Sequence, residues 1–297
     1  MSGGSVIAVD LGGTWIRVGA VSVAGEVGER HVRPTDRERA PDAILMDLDA
    51  LISQAVELTV GRDDSVVGIA VGIPTTLEQD GVLAACPNLP SLIGFPLQRH
   101  LAGRHGLPVA VANDALCFTL GEWWRGLGIG TQSFCGITLG TGIGLGLVIH
   151  GRPYRGAHGD AGEIWRTPVD GRLLEEWVSG EALSGYYAEV TGVQLDGAKL
   201  ASLAKSGDCS AQHAFAEYGR QLGTVLASVV NMIDPEAIAL GGSIADSLAL
   251  FSAPMLESLQ MGIGKKPMPL IEASRLGSVA PLIGAAKVFE HEFGPRN

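Results

Sequence analysis

Two short stretches of this chain could bind a polyphosphate, because each exposes backbone between segments that read as β-strands. Gly12–Gly13–Thr14 closely follows Asp10, and Gly140–Thr141–Gly142 lies near the middle of the chain. Glycine can adopt positive φ and lets an anion approach its N–H group, and threonine adds a hydroxyl donor. Asp10 would repel an anion unless a cation lay between them, which suits Mg²⁺. The residues therefore predict a polyphosphate site at which Asp10 holds Mg²⁺ through water.

Each glycine-threonine stretch, taken alone, is also typical of an ordinary hairpin turn. Their occurrence at the same place in two similar halves of the chain favours the phosphate interpretation. Neither stretch is a GxxxxGK[ST] loop or a Rossmann fingerprint, because neither leads directly into a helix as those motifs require.

A carboxylate that could act as a base ends the segment "PVAVAND", where Asn113 and Asp114 follow a buried strand. Ligands of open α/β sheets gather at the carboxyl ends of strands. Asp114 can therefore accept the proton of a hydroxyl that attacks a phosphate, while Asn113 bonds a neighbouring hydroxyl. The same two residues before a helix are also a common helix cap. The two phosphate stretches favour the catalytic interpretation.

Strands and helices alternate along the chain, which indicates open sheets covered by helices. Strands are predicted over residues 5–10, 15–23, 66–74, 108–114, 133–139, 144–150 and 237–242. Helices are predicted over about 41–60, 96–103, 115–124, 174–190, 211–233, 246–260 and 281–293. Both halves begin with a hairpin that has a glycine-threonine tip. The pattern predicts a duplicated α/β fold of two domains facing each other across a cleft.

Composition excludes several classes of partner. The chain has 297 residues, 46% of them hydrophobic, and a formal net charge of −11, which argues against a nucleic acid partner. No CxxC pair indicates a metal or disulfide framework. No signal peptide precedes the first strand, and no apolar run is long enough to span a bilayer. We expect a cytoplasmic protein with no membrane partner.

Five stretches occur in the order found in one family of sugar kinases: VDLGGT, AND, TLGTGIGLGLVIHG, GAHGDAGEI and NMIDPEAIALGGSIA. On these stretches, which cover nearly the whole chain, the sequence resembles the ROK family (repressor, open reading frame, kinase). The resemblance implies a duplicated actin-like (ribonuclease H-like) fold, a homodimer, and ATP-dependent phosphorylation of a hexose hydroxyl, the 6-hydroxyl first. We expect one domain over residues 1–115, completed by a C-terminal helix at 280–297, and a second over 116–279.

The resemblance also implies which residues contact each ligand. The expected sugar contacts are Asn88, Asn113, Asp114, Glu163 and Glu175. His158 lies close enough in sequence to line the same rim, although a solvated loop histidine explains it equally well. Gly72 ends a strand near the cleft, where a side chain would intrude. The adenosine of ATP is expected at Gly241 and Gly242, for which a plain strand-to-helix turn is an equally simple account.

The chain departs from the family just before Glu175. Members commonly carry glycine and histidine and then a zinc-binding cysteine cluster, whereas this chain has Trp165, Arg166 and a short turn at Asp170–Gly171. Zinc needs about four nitrogen or sulfur ligands. We therefore expect no zinc, and we expect packing by Trp165 and Trp177 to hold Glu175 instead.

The identity of the sugar and two rival functions stay open at this point. The loop at Thr75 and Thr76 and the C-terminal segment look closer to the D-allose kinases of the family, so we expect allose first, then glucose or an N-acetylhexosamine. A sugar-responsive repressor needs a helix-turn-helix before the first strand, where only Met1 to Gly4 stand. A non-catalytic actin-like ATP-binding protein would not need the clustered polar residues.

Overall fold

The computed structural model describes residues 4–62, 64–78 and 81–294. Its contacts divide the chain into two compact units. Unit 1 consists of Met1–Ile129, Pro153–Ala161 and Leu276–Asn297, and unit 2 consists of Gly130–Arg152 and Gly162–Arg275.

Unit 1 contains a five-stranded sheet in the order β3-β2-β1-β4-β7. Its strands are β1 (Ser5–Leu11), β2 (Trp15–Val21), β3 (Val27–Pro34), β4 (Val66–Ile73) and β7 (Val109–Asn113). β1 pairs antiparallel with β2 and parallel with β4, and β4 pairs parallel with β7. The carboxyl ends of β1, β4 and β7 therefore meet at one edge. A two-stranded hairpin, β5 (Thr76–Leu77) with β6 (Leu83–Ala85), follows β4.

The helices of unit 1 are α1 (Pro41–Val60), α2 (Leu97–His105), α3 (Asp114–Arg125) and α9 (Ala280–Phe293). The apolar stripe of α1 is buried at the predicted spacing, as at Ile44, Leu48 and Ile52. Helices α3 and α9 approach so closely that a Cβ on Gly284 would lie 1.6 Å from the Cys117 carbonyl oxygen. By these contacts α3 groups with unit 1, whereas the expected second domain starts at residue 116. That domain division stays a prediction.

Unit 2 contains a second five-stranded sheet, in the order β10-β9-β8-β13-β14. Its strands are β8 (Phe134–Leu139), β9 (Ile143–Ile149), β10 (Arg152–Pro153), β13 (Ala237–Gly241) and β14 (Leu270–Ala273). β8 pairs antiparallel with β9 and parallel with β13, and β13 pairs parallel with β14. The order and directions repeat those of unit 1, which confirms the predicted duplication of an α/β fold.

The helices of unit 2 are α4 (Glu175–Val178), α5 (Gly180–Thr191), α6 (Gly197–Lys205), α7 (Cys209–Ile233) and α8 (Leu248–Ile263). The prediction of one helix over 174–190 is wrong. Ser179 is extended, with φ −97° and ψ 176°, and its hydroxyl accepts the N–H of Ala182 as the cap of a new helix. The prediction also missed α6, β14 and the short hairpin of β11 (Pro168–Val169) and β12 (Arg172–Leu173), which are too short for a clear period.

The remaining predicted elements are present with shifts of a few residues at their ends. Residues 295–297 of the predicted C-terminal helix lie outside the described residues. Within the described ranges, no helix combines the length and the apolar character that crossing a bilayer requires.

Candidate functional site

The carboxyl edge of the unit 1 sheet brings four predicted site residues together. Asp10 on β1 is in register with Gly72 on β4, and Ile73 is in register with Asn113 on β7. Asp114 follows at once as the first residue of α3. Residues from three distant parts of the sequence thus meet because their strands are parallel neighbours.

Asp10 is a buried carboxylate with one guanidinium partner. Arg17 lies opposite it in the hairpin register, and its Nη1 donates to Asp10 Oδ2 at 2.7 Å. Burial raises the pKa of the Asp10 carboxyl, and the charge and hydrogen bond of Arg17 oppose that rise. Among the described residues, Arg17 is the side chain that hydrogen-bonds the Asp10 carboxylate. A single carboxylate beside phosphates is the donor set that Mg²⁺ commonly accepts.

The first glycine-threonine loop is shaped by close packing and not by unusual dihedral angles. Gly12 and Gly13 are outside the positive-φ region, so the conformational reason given above for these glycines is wrong. A Cβ on Gly13 would lie 2.9 Å from the backbone oxygen of Asn88, so only glycine fits there without a shift. This contact places Asn88, an expected sugar residue, directly against the loop. Thr14 is exposed at the tip.

Asn113 and Asp114 form the helix cap that the sequence offered as an alternative. Oδ1 of Asn113 accepts the N–H groups of Ala115 at 2.9 Å and Leu116 at 3.2 Å, and its Nδ2 donates to the Thr75 carbonyl oxygen at 3.3 Å. Oδ1 of Asp114 also accepts the Ala115 N–H, at 2.9 Å. A cap and a base are compatible, because the positive end of α3 favours an ionised carboxylate at its first residue.

Helix α3 also explains Gly72. A Cβ on Gly72 would lie 3.1 Å from the Cys117 sulfur, so the missing side chain lets α3 pack on β4. Burial raises the pKa of the Cys117 thiol, and the nearby charge of Asp114 raises it further. Burial also raises the pKa of Cys86 to about 12, with Asp114 again contributing. Both thiols are therefore protonated packing groups beside Asp114, and thiolate chemistry is not expected at either.

The second glycine-threonine loop packs against Glu175 in unit 2. A Cβ on Gly142 would lie 2.1 Å from Glu175 Oε2. The N–H of Gly180 donates to the carbonyl oxygen of Gly140 at 2.8 Å, which the helix break at Ser179 makes possible. Burial raises the pKa of Glu175, while a hydrogen bond from the Ile143 N–H opposes that rise. This contact could not be predicted, because Gly142 and Glu175 are far apart along the chain.

Gly241 and Gly242 lie at the end of β13 beside the same loop. Gly241 is in register with Thr138 on β8. Gly242 has φ +84°, and a Cβ there would lie 2.2 Å from the Leu139 carbonyl oxygen. Gly242 is thus required by the backbone itself, whether or not an adenine approaches it.

Glu163 and His158 lie on either side of a unit boundary along the chain. Glu163 Oε2 accepts the indole N–H of Trp165 at 2.5 Å and lies 3.6 Å from Arg166 Nη2. Trp165 and Arg166, which replace the usual glycine and histidine, therefore hold this carboxylate in place. His158 belongs to unit 1 and is exposed in a loop closed by the bond from Ala161 N–H to Arg155 O at 3.0 Å.

The segment that replaces the cysteine cluster is a small hairpin. Asp170 and Gly171 turn it with φ of 48° and 81°. The indole of Trp177 donates to the Val169 carbonyl oxygen at 3.2 Å, and the Arg172 guanidinium stacks 5.0 Å from its ring centre. This holds the hairpin against α4, the helix that begins with Glu175. In the described part of the chain no three His, Cys, Asp or Glu side chains group as metal ligands. The absence of zinc stays a prediction, which metal analysis of the purified protein tests.

A cavity of about 280 Å³ in unit 1 contains none of the predicted site residues. It is lined by residues such as Ser5, Ala20, His31 and Thr59, at the amino end of β1 and thus at the opposite end of that strand from Asp10. The chemistry of the carboxyl edge therefore does not depend on this cavity.

Sequence reasoning did not identify Arg17 as part of the site. The signal was present, since closing the β1–β2 hairpin on its glycine-threonine tip places Arg17 opposite Asp10. It also did not identify Thr75, whose carbonyl oxygen orients Asn113 and whose place depends on the tertiary course of the loop after β4.

Comparisons with known proteins match almost the whole chain. The sequence profile of the ROK family matches residues 6–292. The glucokinase of Streptomyces coelicolor is 32% identical over 313 residues, covering 95% of this chain and 96% of that protein. The N-acetyl-D-glucosamine kinase of Pectobacterium atrosepticum is 30% identical over 300 residues, covering 93% and 96%. A solved ROK family glucokinase from Streptomyces griseus, in complex with glucose and AMPPNP, is 28% identical with a TM-score of 0.83, covering 96% of this chain and 99% of that one.

Proposed function

We propose a hexose 6-kinase with Asp114 as general base, starting from the family of the chain. The chain belongs to the ROK family of ATP-dependent sugar kinases and has the duplicated actin-like α/β fold. The observation that carries the proposal is the meeting of Asp10 and Asp114 at the carboxyl edge of one sheet, beside the loop Gly12–Gly13–Thr14. Phosphoryl transfer needs positioned groups and charge neutralisation, which this edge supplies.

In the reaction that we propose, Asp114 and Asn113 act on the sugar and Asp10 acts on the nucleotide. Asp114 accepts the proton of the sugar hydroxyl as the hydroxyl oxygen attacks the γ-phosphorus of ATP. Asn113 orients Asp114 through the shared cap and the Thr75 carbonyl oxygen. Mg²⁺, when bound with ATP, neutralises charge on the phosphates, and Asp10 is the residue that would hold it through water.

In the proposal, the two glycine-threonine loops contact the nucleotide, and residues packed against these loops contact the sugar. The N–H groups of residues 12–14 and 140–142 bind the phosphates of ATP, and Gly241–Gly242 approach the adenosine. Asn88, Asn113, Glu163 and Glu175 hydrogen-bond the sugar hydroxyls, with His158 beside them. Asn88 and Glu175 each touch a loop glycine, which supports placing sugar contacts next to the phosphate loops.

We further propose D-glucose and D-allose as the first candidates for the sugar, and a homodimer as the working assembly. The glucokinase relatives support glucose. Allose rests on the Thr75–Thr76 loop and the C-terminal segment noted above. The two sugars differ only at the 3-hydroxyl, so buried hydrogen bonds at that position decide between them.

A coupled assay of ADP release across D-glucose, D-allose, D-mannose and N-acetyl-D-glucosamine tests the function. We expect Mg²⁺-dependent turnover with at least one sugar and a 6-phosphate product by ³¹P NMR. ATP binding without turnover on any hexose would contradict the proposal and favour a non-catalytic ATP-binding protein. Light scattering of the purified protein tests the dimer.

A further inference from the structure

Arg155 in unit 1 carries hydrogen-bond donors that the reaction described above does not use. Its Nη1 donates to Glu292 Oε1 on α9 at 2.9 Å. Its Nε and Nη2 are shielded from solvent and hydrogen-bond no group in the described residues. Donors that are buried without a partner are costly, so such a pair calls for an acceptor other than the residues that the structure describes.

The two unpaired nitrogens restrict what that acceptor can be. Nε–H and Nη2–H point the same way from one edge of the planar guanidinium, while Nη1 faces Glu292. This edge matches two oxygens of one phosphate or carboxylate, and a charge-assisted pair of that kind is strongest where water is excluded. A sugar hydroxyl would satisfy one donor and leave the other unpaired.

Arg155 and the proposed catalytic acids act on one buried thiol. Four charged groups act on the pKa of the buried Cys117 thiol: Asp114, Asp10 and Glu292 raise it, and Arg155 lowers it. Cys117 packs under Gly72, at the strand end next to Asp10. Arg155 is thus the cation among the charged groups that act on this thiol, and Asp10 and Asp114 are two of the acids among them.

The backbone of Arg155 begins the loop that carries His158. The carbonyl oxygen of Arg155 accepts the N–H of Ala161 at 3.0 Å, which closes the loop, and Gly156 and Gly159 adopt positive φ of 73° and 88° within it. The guanidinium therefore belongs to the same short segment as an expected sugar-side residue.

We propose that the unpaired edge of Arg155 binds a phosphoryl group, namely that of the phosphorylated sugar. The proposal rests on the proposed function, because a sugar kinase forms this group beside Asp114. The γ-phosphoryl group of the nucleotide has the same chemistry, and the shared segment with His158 favours the sugar phosphate. An enclosed water molecule is the competing occupant.

Arginine-selective ¹⁵N NMR of the wild-type protein tests the occupant directly. The Nε–H signal of Arg155, assigned by its absence in Arg155→Lys, is followed during additions of inorganic phosphate, glucose 6-phosphate and AMPPNP with Mg²⁺. We expect saturable shifts with inorganic phosphate and larger ones with glucose 6-phosphate. A signal that none of these compounds moves would mean an enclosed water and overturn the proposal, and a response to AMPPNP alone would overturn the assignment to the sugar phosphate.

Calorimetry on variants separates the anion contact from a structural role of Arg155. Arg155→Lys keeps the charge and can still pair with Glu292 but has no two-donor edge, so we expect glucose 6-phosphate to bind about tenfold more weakly or worse, with glucose binding retained. Glu292→Gln weakens the tether to α9 but leaves the edge, so its affinity for glucose 6-phosphate should stay within about twofold. Arg152→Lys, an exposed arginine three residues away, is the matched control and should change nothing.

Two outcomes distinguish this inference from the proposed function. Equal binding of glucose 6-phosphate by wild type and Arg155→Lys would sink the inference while leaving the kinase proposal intact. A shift of the Nε–H signal with inorganic phosphate, in a protein that turns over no hexose, would support the anion site and remove the proposed function.

Discussion

The β1–β2 hairpin of unit 1 and the β8–β9 hairpin of unit 2 hold the same place in two sheets of the same order, yet they carry different chemistry. In unit 1 the register pairs Asp10 with Arg17, whereas the corresponding pair in unit 2 is Thr138 with Gly144. The unit 1 tip is also one residue longer, since Leu11 pairs with Ile16 but Leu139 pairs with Ile143. The two hairpins share one backbone plan, and the residues at the strand ends form an ion pair in unit 1 and an uncharged pair in unit 2.

The glycine-threonine tips of the two hairpins also differ in the groups that they contact. Gly13 abuts the backbone of Asn88, so a side chain there would have to displace main chain. Gly142 abuts the carboxylate of Glu175, the mobile end of a side chain. A proposed phosphate loop thus abuts a proposed sugar contact through rigid backbone in one unit and through a movable side chain in the other. The predictions below test this difference.

The largest expected effect concerns Asp114, the acid that directly follows β7 in unit 1. Asp114→Asn should lower kcat by about 10²–10⁴-fold, because general-base catalysis contributes that much, while sugar and ATP affinities change little. Steady-state kinetics and calorimetry check both parts. Glu272→Gln on β14 of unit 2 is the matched control and should keep normal kcat. Near-normal turnover by Asp114→Asn would remove the asymmetry of charge from the mechanism.

The next effect concerns the rigid contact in unit 1. Gly13→Ala should lower the free energy of unfolding by about 1–3 kcal/mol, because its Cβ would press on the Asn88 backbone. Urea denaturation measures this change. Gly12→Ala is the control, since a Cβ there would lie at an ordinary 3.5 Å from the Trp15 carbonyl oxygen. Equal stability of the two variants would show that the tip relaxes freely.

The corresponding change in unit 2 should affect binding more than stability. Gly142→Ala should push the Glu175 carboxylate aside and raise the KM for sugar about tenfold, the cost of one hydrogen bond to a charged group, with little change in Tm. Gly140→Ala, whose Cβ would meet nothing within 4 Å, is the control for sugar KM. A large loss of Tm with unchanged KM in Gly142→Ala would contradict the flexible contact.

The smallest effect is a pH dependence of stability at Glu175, which is half-buried. The pKa of Glu175 lies above the ordinary value of 4.5, so the folded protein holds this proton more tightly than the unfolded chain, and stability falls as pH rises from about 4.5 through the folded pKa. Glu175→Gln cannot ionise, so its stability relative to wild type should increase across that window. Asp10 has Arg17 to oppose burial, whereas the opposing group at Glu175 is a backbone N–H.

Urea denaturation between pH 4.5 and 7 measures this gain, and Glu257→Gln on the exposed face of α8 is the control. A constant difference between Glu175→Gln and wild type at every pH would argue that burial does not act on this carboxyl.

Much of the fold could be predicted because the long helices and strands have a clear pattern of apolar residues along the sequence. The stripe of α1 and the buried runs of β4 and β7 have clear periods or lengths. The single helix expected over 174–190 failed because Ser179 and Gly180 can continue a helix or cap one, and only the bond from Gly180 N–H to Gly140 O decides which. The short β11–β12 hairpin was not predicted, because its strands are too short to show an alternation of apolar and polar residues. Its Asp170–Gly171 turn was predicted.

The sequence by itself determined the residue types of the site: two glycine-threonine tips, Asp10 and the Asn113–Asp114 pair at strand ends. The tertiary structure decided which of these touch. Gly13 meets Asn88, Gly142 meets Glu175, and Arg155 keeps one edge without a partner among the described residues. The physical reason is that residue type and local period act within a few neighbours along the chain. Steric contact and unpaired donors depend instead on segments that only the packed sheets and helices bring together.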